Sequence, residues 1–339
     1  MSILLTVDPQ FHINQSLESN VFKQYCLLLF TDPQMQIWVG KAIQRQKKAR
    51  ADGTRRNADY TIKEYLRFTH THKVFPTSPS TLSICAYIEM QVEKQLCPAT
   101  IRNKLSQIKV WIRSVKGSVA QLDDDFINDH LKAVYKTSTY MPNVKEPVPV
   151  QVLKEVLAML PKDPEGWVLR GALLCVIYGG FRQCEVLPPS KDKFSADTCL
   201  TREDVLISPQ EVHIKKKKGK NHQSYGTYRA HVFKVSENPD MCVVLALNNI
   251  VSLIPSTDPS DPMFAFPHDG SPMPVTYLRR KWKESLVKLH QDDKKYSLHS
   301  IRKTLVTESY LRGVPVNEIK DFGKWSTKAY ENYFVTKAD

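Results

Sequence analysis

The sequence lacks the features that mark several classes of protein. No apolar run reaches the roughly eighteen residues needed to span a bilayer. The opening Met1-Ser2-Ile3-Leu4-Leu5-Thr6-Val7-Asp8 has no basic start, and Asp8 and Pro9 cut its apolar stretch short, so a soluble chain without a secretory signal is expected. There is no Cys-x-x-Cys pair. The seven cysteines, Cys26, Cys85, Cys97, Cys175, Cys184, Cys199 and Cys242, are odd in number and widely spread, which predicts buried free thiols in a reducing compartment rather than disulfides or a zinc site. No glycine-rich phosphate loop is present, so intrinsic ATP use is not indicated. The acidic pairs Asp124-Asp125 and Asp292-Asp293 stand at expected helix starts or beside lysines. No set of separated carboxylates is placed to hold two metal ions, which sets aside a metal-dependent nuclease or transposase. Internal repeats and low-complexity tracts are also missing, Lys215 to Lys218 being too short to count as one.

What is present is a folded, basic chain. Its 339 residues exceed one ordinary core and suggest two domains, and 42% hydrophobic against 24% charged residues is enough to bury a core in each. The formal net charge is +13, and it is shared: up to Lys145 there are 20 Lys+Arg against 12 Asp+Glu, and beyond it 28 against 23. A basic excess on both sides of a domain boundary suits a grip on a polyanion from two faces, with released counterions supplying sequence-independent affinity. A well-solvated basic surface without a partner is the alternative on charge alone.

Along the chain, residues 1–30 show no strong period and are read as a flexible segment without assigned function. A helical domain follows over 31–138, with helices expected near 34–50, 58–71, 80–94, 98–115 and 123–136. Ser80 and the Asp123-Asp124-Asp125 cluster serve as starts and Gly117 as a stop. The run Tyr140-Met141-Pro142-Asn143-Val144-Lys145-Glu146-Pro147-Val148-Pro149 cannot continue a helix, because proline removes a donor and restricts the residue before it, so a linker is placed over 139–149. The second domain, 150–339, opens with helices near 150–160 and 165–178. Extended segments follow near 204–207, 211–217 and 226–235, forming a small antiparallel sheet. Helices then return near 239–254, 274–290, 299–312, 315–322 and 327–335. The fold class expected is mainly α, an N-terminal helical domain followed by an α+β domain.

Two stretches of the first domain are candidates to track phosphates. Lys41, Arg45, Lys47, Lys48, Arg50, Arg55 and Arg56 are relieved by one acid, Asp52. In the helix 98–115, Arg102, Lys109 and Arg113 lie on or near one face, while Ile101, Leu105, Ile108 and Ile112 form the apolar stripe. A solvated helix face is the bland reading of each stretch, and a nuclear import signal is a further reading of 45–56.

The densest information lies near the C-terminus. His299 and Arg302 are three apart, so a helix places imidazole and guanidinium on one face, where both can meet one anion. Gly323-Lys324-Trp325 and Tyr333 follow, and upstream Gly179-Gly180-Phe181-Arg182-Gln183-Cys184-Glu185 supplies a second arginine behind an apolar helix. Arg-x-x-Glu, a lysine in a basic hairpin, His-x-x-Arg, Gly-x-Trp and a terminal tyrosine, in that order over about 150 residues, resembles the site of the tyrosine recombinases, the phage-integrase family. The string Gly-Lys-Trp-Ser-Thr-Lys-Ala-Tyr-Glu-Asn-Tyr is most similar to enzymes of eukaryotic mobile elements, the Crypton, Ngaro and DIRS types.

The resemblance implies an N-terminal core-binding domain, a C-terminal catalytic domain with a small antiparallel sheet, and site-specific cutting and rejoining of double-stranded DNA through a 3′-phosphotyrosine, without metal, nucleotide or other cofactor. Residue chemistry is consistent with each role. Tyr333 can attack phosphorus and store the bond energy as an ester; Arg182 and Arg302 can clamp the non-bridging oxygens. His299 can donate to the phosphate or help deprotonate Tyr333, as a near-neutral imidazole permits. Trp325 offers an indole N–H that never titrates, and Glu185 supports an arginine or histidine. By analogy the leaving-group acid is Lys220, with Lys218 close behind; Lys215, Lys216, Lys217 and Lys218 otherwise read as phosphate contacts of a basic hairpin.

Trp325 to Tyr333 is one residue shorter than is common in bacterial and phage relatives, which makes Tyr330 a second candidate nucleophile; the shorter spacing matches the eukaryotic-element enzymes. Only six residues follow Tyr333, fewer than the segment by which many relatives dock into a neighbouring subunit. A homo-oligomer on DNA, up to a tetramer, is implied without specifying that route. Location would be nuclear in a eukaryote and otherwise cytoplasmic. A DNA-binding protein that kept this fold without catalysis, and a DNA-relaxing enzyme of the type IB topoisomerase kind, are the alternatives.

Overall fold

The computed structural model describes residues 52–115, 117–141, 145–217 and 229–323, with scattered positions between 32 and 45. The segment 1–30 and the helix expected over 327–335 lie outside the described residues. The chain divides into two compact units, Met1–Pro142 and Asn143–Asp339.

The first unit is helical: α1 Asp52–Thr71, α2 Thr81–Glu93, α3 Pro98–Ser114 and α4 Asp125–Thr137. Each start has a local cause. Ser80 caps α2 by accepting from the Ser83 amide at 3.2 Å. Asp124 caps α4 through the Phe126 amide at 2.9 Å and also takes the Thr81 hydroxyl at 2.8 Å, tying two helix starts together. The α3 stripe Ile101, Leu105, Ile108 and Ile112 is buried against Tyr65, Ile84, Tyr87 and Ile88, with Tyr65 and Tyr87 edge-on at 5.5 Å.

In the second unit, α5 Val150–Met159 and α6 Pro164–Tyr178 precede a single turn, α7 Gln183–Val186. Strands β1 Val205–Ile207, β2 Glu211–Lys216 and β3 Arg229–Lys234 form an antiparallel sheet in the order β1-β2-β3, with Val205 opposite Ile214 and Ile214 opposite His231. Helices α8 Val243–Leu253, α9 Val275–Lys288, α10 Leu298–Leu311 and α11 Val316–Gly323 complete it. The loop expected between Gly219 and Gly226 lies outside the described residues.

Helix α6 is buried nearly all round, as its almost wholly apolar sequence from Trp167 to Ile177 requires. One charge lies inside it. Arg170 is fully buried and donates to Asp240 Oδ1 at 2.8 Å and the Leu160 carbonyl at 3.1 Å, because a buried guanidinium is tolerated only when paired. In β2, Val212 and Ile214 face the core while Lys215 is exposed. Among the described residues no helix is long and apolar enough to cross a membrane. Cys85, Cys175, Cys199 and Cys242 are buried thiols, whereas Cys184 is exposed on the single-turn α7.

Candidate active site

Two neighbouring features of the second unit bring the candidate residues together. The first is the end of α6. Its last turn closes on Gly179, and Gly180 adopts a left-handed backbone, φ 54°, which glycine accepts without the clash a Cβ would bring. The reversal buries Phe181, whose ring packs on His231 of β3 at 4.7 Å. It leaves Arg182 at the mouth of the next turn. There the Glu185 carboxylate, itself buried, accepts from the Arg182 amide at 2.8 Å and from its guanidinium at 2.9 Å. The i to i+3 pair orients the arginine while part of its side chain stays in solvent.

The second feature is the start of α10. Ser297 accepts from the Ser300 amide at 3.2 Å and Ser300 returns the bond to the Ser297 amide at 3.0 Å, so the helix opens in a fixed geometry. Leu298 and Ile301 anchor it in the core. His299 and Arg302 then rise on one side of the first turn, where amides and helix dipole favour an anion. Arg302 is buried and donates to the Gly180 carbonyl. This bond ties the two features together, with Gly180 two residues before Arg182.

The segment before α5 is laid along α10. Thr304 donates to the Val148 carbonyl at 2.8 Å, Lys303 to the Lys145 carbonyl at 2.6 Å, and the Glu146 amide to the Lys295 carbonyl at 3.2 Å. The first turns of the helix that carries Arg302 are thus tied to this segment.

The electrostatics follow from this convergence. The imidazole of His299 is held below its ordinary value of 6.5, first by desolvation and then by the positive charges of Arg302, Lys303 and Arg182. It keeps an open edge and stays neutral to lower pH than a free histidine. Folding stability should accordingly fall as pH drops below the unfolded value, since the unfolded chain binds the proton first. Histidine titration by NMR should place His299 below 6.5, and Lys303→Met, which removes one opposing charge, should move it upward. An unchanged value in the variant would mean that Lys303 does not act on the ring.

Of the sequence-predicted site residues, Arg182, Glu185, His299 and Arg302 come together. Lys218, Lys220, Trp325, Tyr330 and Tyr333 lie outside the described residues, as do Lys47, Lys48 and Arg50. Lys41, Arg45, Arg56 and Arg102 are exposed, Arg55 half-buried, and Arg102 lies over the Tyr135 ring at 5.1 Å. Lys215 faces solvent on β2, and Lys216 is its last residue. Two candidates have an acidic partner on their own chain, and one expectation, Lys217, needs correction. Lys109 and Arg113 are ion-paired to the Asp123 carboxylate, Arg113 at 3.6 Å, so the α3 face is partly neutralised by its own chain. Lys217 is turned inward to Asp204 at 2.6 Å with its side chain 10% exposed, which removes it from the phosphate contacts. Sequence reasoning missed Arg279 of α9, whose Nε donates to Gln183 Oε1 at 2.7 Å beside Arg182. Its only signal was the basic run Arg279-Arg280-Lys281. Among the described residues no three His, Cys, Asp or Glu side chains gather to hold a metal ion.

The architecture has solved counterparts. The Tn1549 transposon integrase in complex with circular intermediate DNA matches with a TM-score of 0.56 at 15% identity, over 88% of this chain and 94% of that one. XerH site-specific recombinase bound to a palindromic difH substrate matches at 0.57 and 12% identity, over 94% and 90%. This chain has the fold of the tyrosine recombinases. A lambda integrase dimer bound to a COC′ core site matches at 0.50 and 12% identity, over 87% and 95%. No family model and no curated protein matches the sequence. At such identities the recombinase fold is shared, and the case for chemistry rests on the residues of this chain.

Proposed function

We propose that this protein is a site-specific DNA recombinase, of the kind carried by mobile elements, that cuts and rejoins duplex DNA through a covalent 3′-phosphotyrosine. One observation carries the reading: Arg182, paired with Glu185, and Arg302, bonded to the Gly180 carbonyl, lie close enough to His299 at the start of α10 for both guanidiniums to act on its ring. Two guanidiniums and an imidazole around one helix N-terminus form a receptor for a phosphodiester whose charge grows during attack.

In the step proposed, the Tyr333 oxygen attacks phosphorus, with His299 taking or sharing its proton. The arginines hold the two non-bridging oxygens. The bond to the 5′-oxygen breaks, and a hairpin lysine, Lys220 or Lys218, protonates that oxygen as it leaves; Trp325 adds a fixed N–H donor. Reversal with the 5′-hydroxyl of a second strand rejoins DNA, so no external energy source is needed. Duplex DNA and further copies of the chain are the partners proposed, with Arg55, Arg56 and Arg102 as sequence-independent contacts in the first unit.

Covalent trapping tests this. Wild type, Tyr333→Phe and Tyr330→Phe are incubated in EDTA with nicked duplexes carrying candidate element ends and then denatured. The expected result is a protein–DNA adduct that disappears only in Tyr333→Phe. Cutting that requires Mg²⁺ and leaves no adduct would overturn the proposal, and binding without cutting in either condition would favour a non-catalytic DNA-binding protein.

A further inference from the structure

The segment that leads into α5 is stiff by sequence. Pro147 and Pro149 fix their own backbone and disfavour helix at the residues before them, Glu146 and Val148. Neither proline has an amide to donate, so this strap, Lys145 to Val148, meets its surroundings mainly through carbonyls. Its far end is anchored. Val148 is fully buried in the core cluster that also holds Leu298 and Ile301 of α10, and the Pro149 carbonyl accepts from the Leu153 amide of α5 at 3.2 Å.

The hydrogen bonds of the strap fall on either side of His299 and Arg302. Before them in the chain, the Glu146 amide donates to the Lys295 carbonyl at 3.2 Å and the Lys145 ammonium to the Lys294 carbonyl. The entry they grip is itself ordered, by the Asp292 carboxylate accepting from the Lys294 amide at 2.8 Å and by the Trp282 indole donating to the Tyr296 carbonyl at 3.2 Å. After them, Lys303 donates to the Lys145 carbonyl at 2.6 Å and Thr304 to the Val148 carbonyl at 2.8 Å. Thr304 is 4% exposed, and its hydroxyl also reaches the Ser300 carbonyl one turn back at 3.2 Å. The shorter bond is the one to the strap, not the bond within the helix that threonine commonly makes.

We propose that Thr304 and Lys303 are positioning residues: by seating α10 on the strap they set where His299 and Arg302 stand against the bound phosphodiester. This rests on the recombinase reading above. Neither residue touches the reacting atoms. His299 and Arg302 lie between the two gripped points, so a shift of the helix on the strap carries both together, and misplacement of reacting groups by about 1 Å can cost on the order of a hundredfold.

The test uses Thr304→Val, which removes the hydroxyl and no charge, and its first readout needs no DNA. Burial and the charges of Arg302, Lys303 and Arg182 act on the His299 ring, and the variant alters none of those groups. Loosening the helix start exposes the ring and separates it from the cations, and both effects raise its value. Titration by NMR should therefore move His299 upward toward 6.5 in Thr304→Val, while Thr304→Ser, which keeps the hydroxyl, should restore it. Val148→Ala loosens the strap at its core anchor without changing any residue of α10. It should shift His299 the same way, and it carries the test if Thr304→Val does not fold. The second readout is single-turnover adduct formation on a duplex selected from a randomised pool by covalent capture on the wild-type protein. Thr304→Val should be slower by about tenfold to a hundredfold, with Thr304→Ser near wild type. Affinity for the duplex should stay within a few-fold, since no phosphate-neutralising charge is lost.

A lower melting temperature with the His299 titration and the rate both unchanged would mean that the strap serves stability alone and would overturn the proposal. So would equal changes in Thr304→Val and Thr304→Ser, because the hydroxyl would then not be the group that acts. If wild type captures no duplex, or Tyr333→Phe captures as well as wild type, the recombinase reading falls first and this inference with it; failure of the Thr304 variants to respond while wild type captures normally sinks this inference alone.

Discussion

Replacing Arg302 by alanine should slow adduct formation on a cleavable duplex by about a thousandfold or more, the scale of losing one guanidinium at a phosphoryl transition state. Its affinity for the same duplex should stay within a few-fold of wild type. The asymmetry is expected because Arg302 is buried and so contributes little to a polyelectrolyte surface, whereas in the proposed reaction it holds the charge that grows on the attacked phosphate. The variant should also melt earlier, because the Gly180 carbonyl loses the guanidinium that donates to it, a deficit of about 1–3 kcal/mol for an acceptor left without a partner. Arg302→Lys separates the two effects. A lysine ammonium can still serve the carbonyl, so stability should largely return, while the planar fork that spans two oxygens does not, and the rate should remain depressed. Single-turnover trapping and thermal melting of both variants decide it. An Arg302→Ala protein that cleaves within tenfold of wild type would remove this arginine from the phosphate.

Much of the fold was legible because its signals are local. The helix expected over 98–115 is Pro98–Ser114 and that over 165–178 is Pro164–Tyr178, since apolar spacing, proline at the first turn and a terminal glycine act within a few residues of each other. His299 and Arg302 were readable for the same reason, as i to i+3 neighbours in a helix that Ser297 starts. Expectations failed where the deciding partner is distant in sequence. Lys109 looks like a phosphate contact until Asp123 is placed beside it by the turn between α3 and α4. Lys217 looks like its three lysine neighbours until Thr201 and Asp204 are brought under the end of β2. Arg279 stands 96 residues from Gln183, its hydrogen-bond partner beside Arg182. Charge type is written in the sequence, but whether a charge faces solvent or a buried acid is settled by tertiary packing.

A single methyl group at Gly179 should damage the site without touching any residue proposed to contact DNA. A Cβ there would collide with the Phe181 ring and with the Cys175 carbonyl. Neither can yield easily. The carbonyl accepts the last α6 bond from the Gly179 amide at 2.9 Å, and the ring is buried against His231 at 4.7 Å. Gly179→Ala should therefore cost about 1–3 kcal/mol of stability, the range for overpacking a closed core. The ring, forced to move, takes the backbone of Gly180 and Arg182 with it, and with them the carbonyl that holds Arg302. Both arginines shift together, so cleavage should fall by about a hundredfold, the loss associated with misplacing reacting groups by about 1 Å. Phe181→Leu in the same background removes part of the colliding ring and should recover some of that rate, even though Phe181→Leu alone weakens the core. A double variant no faster than Gly179→Ala would show that the arginines are not positioned through this ring.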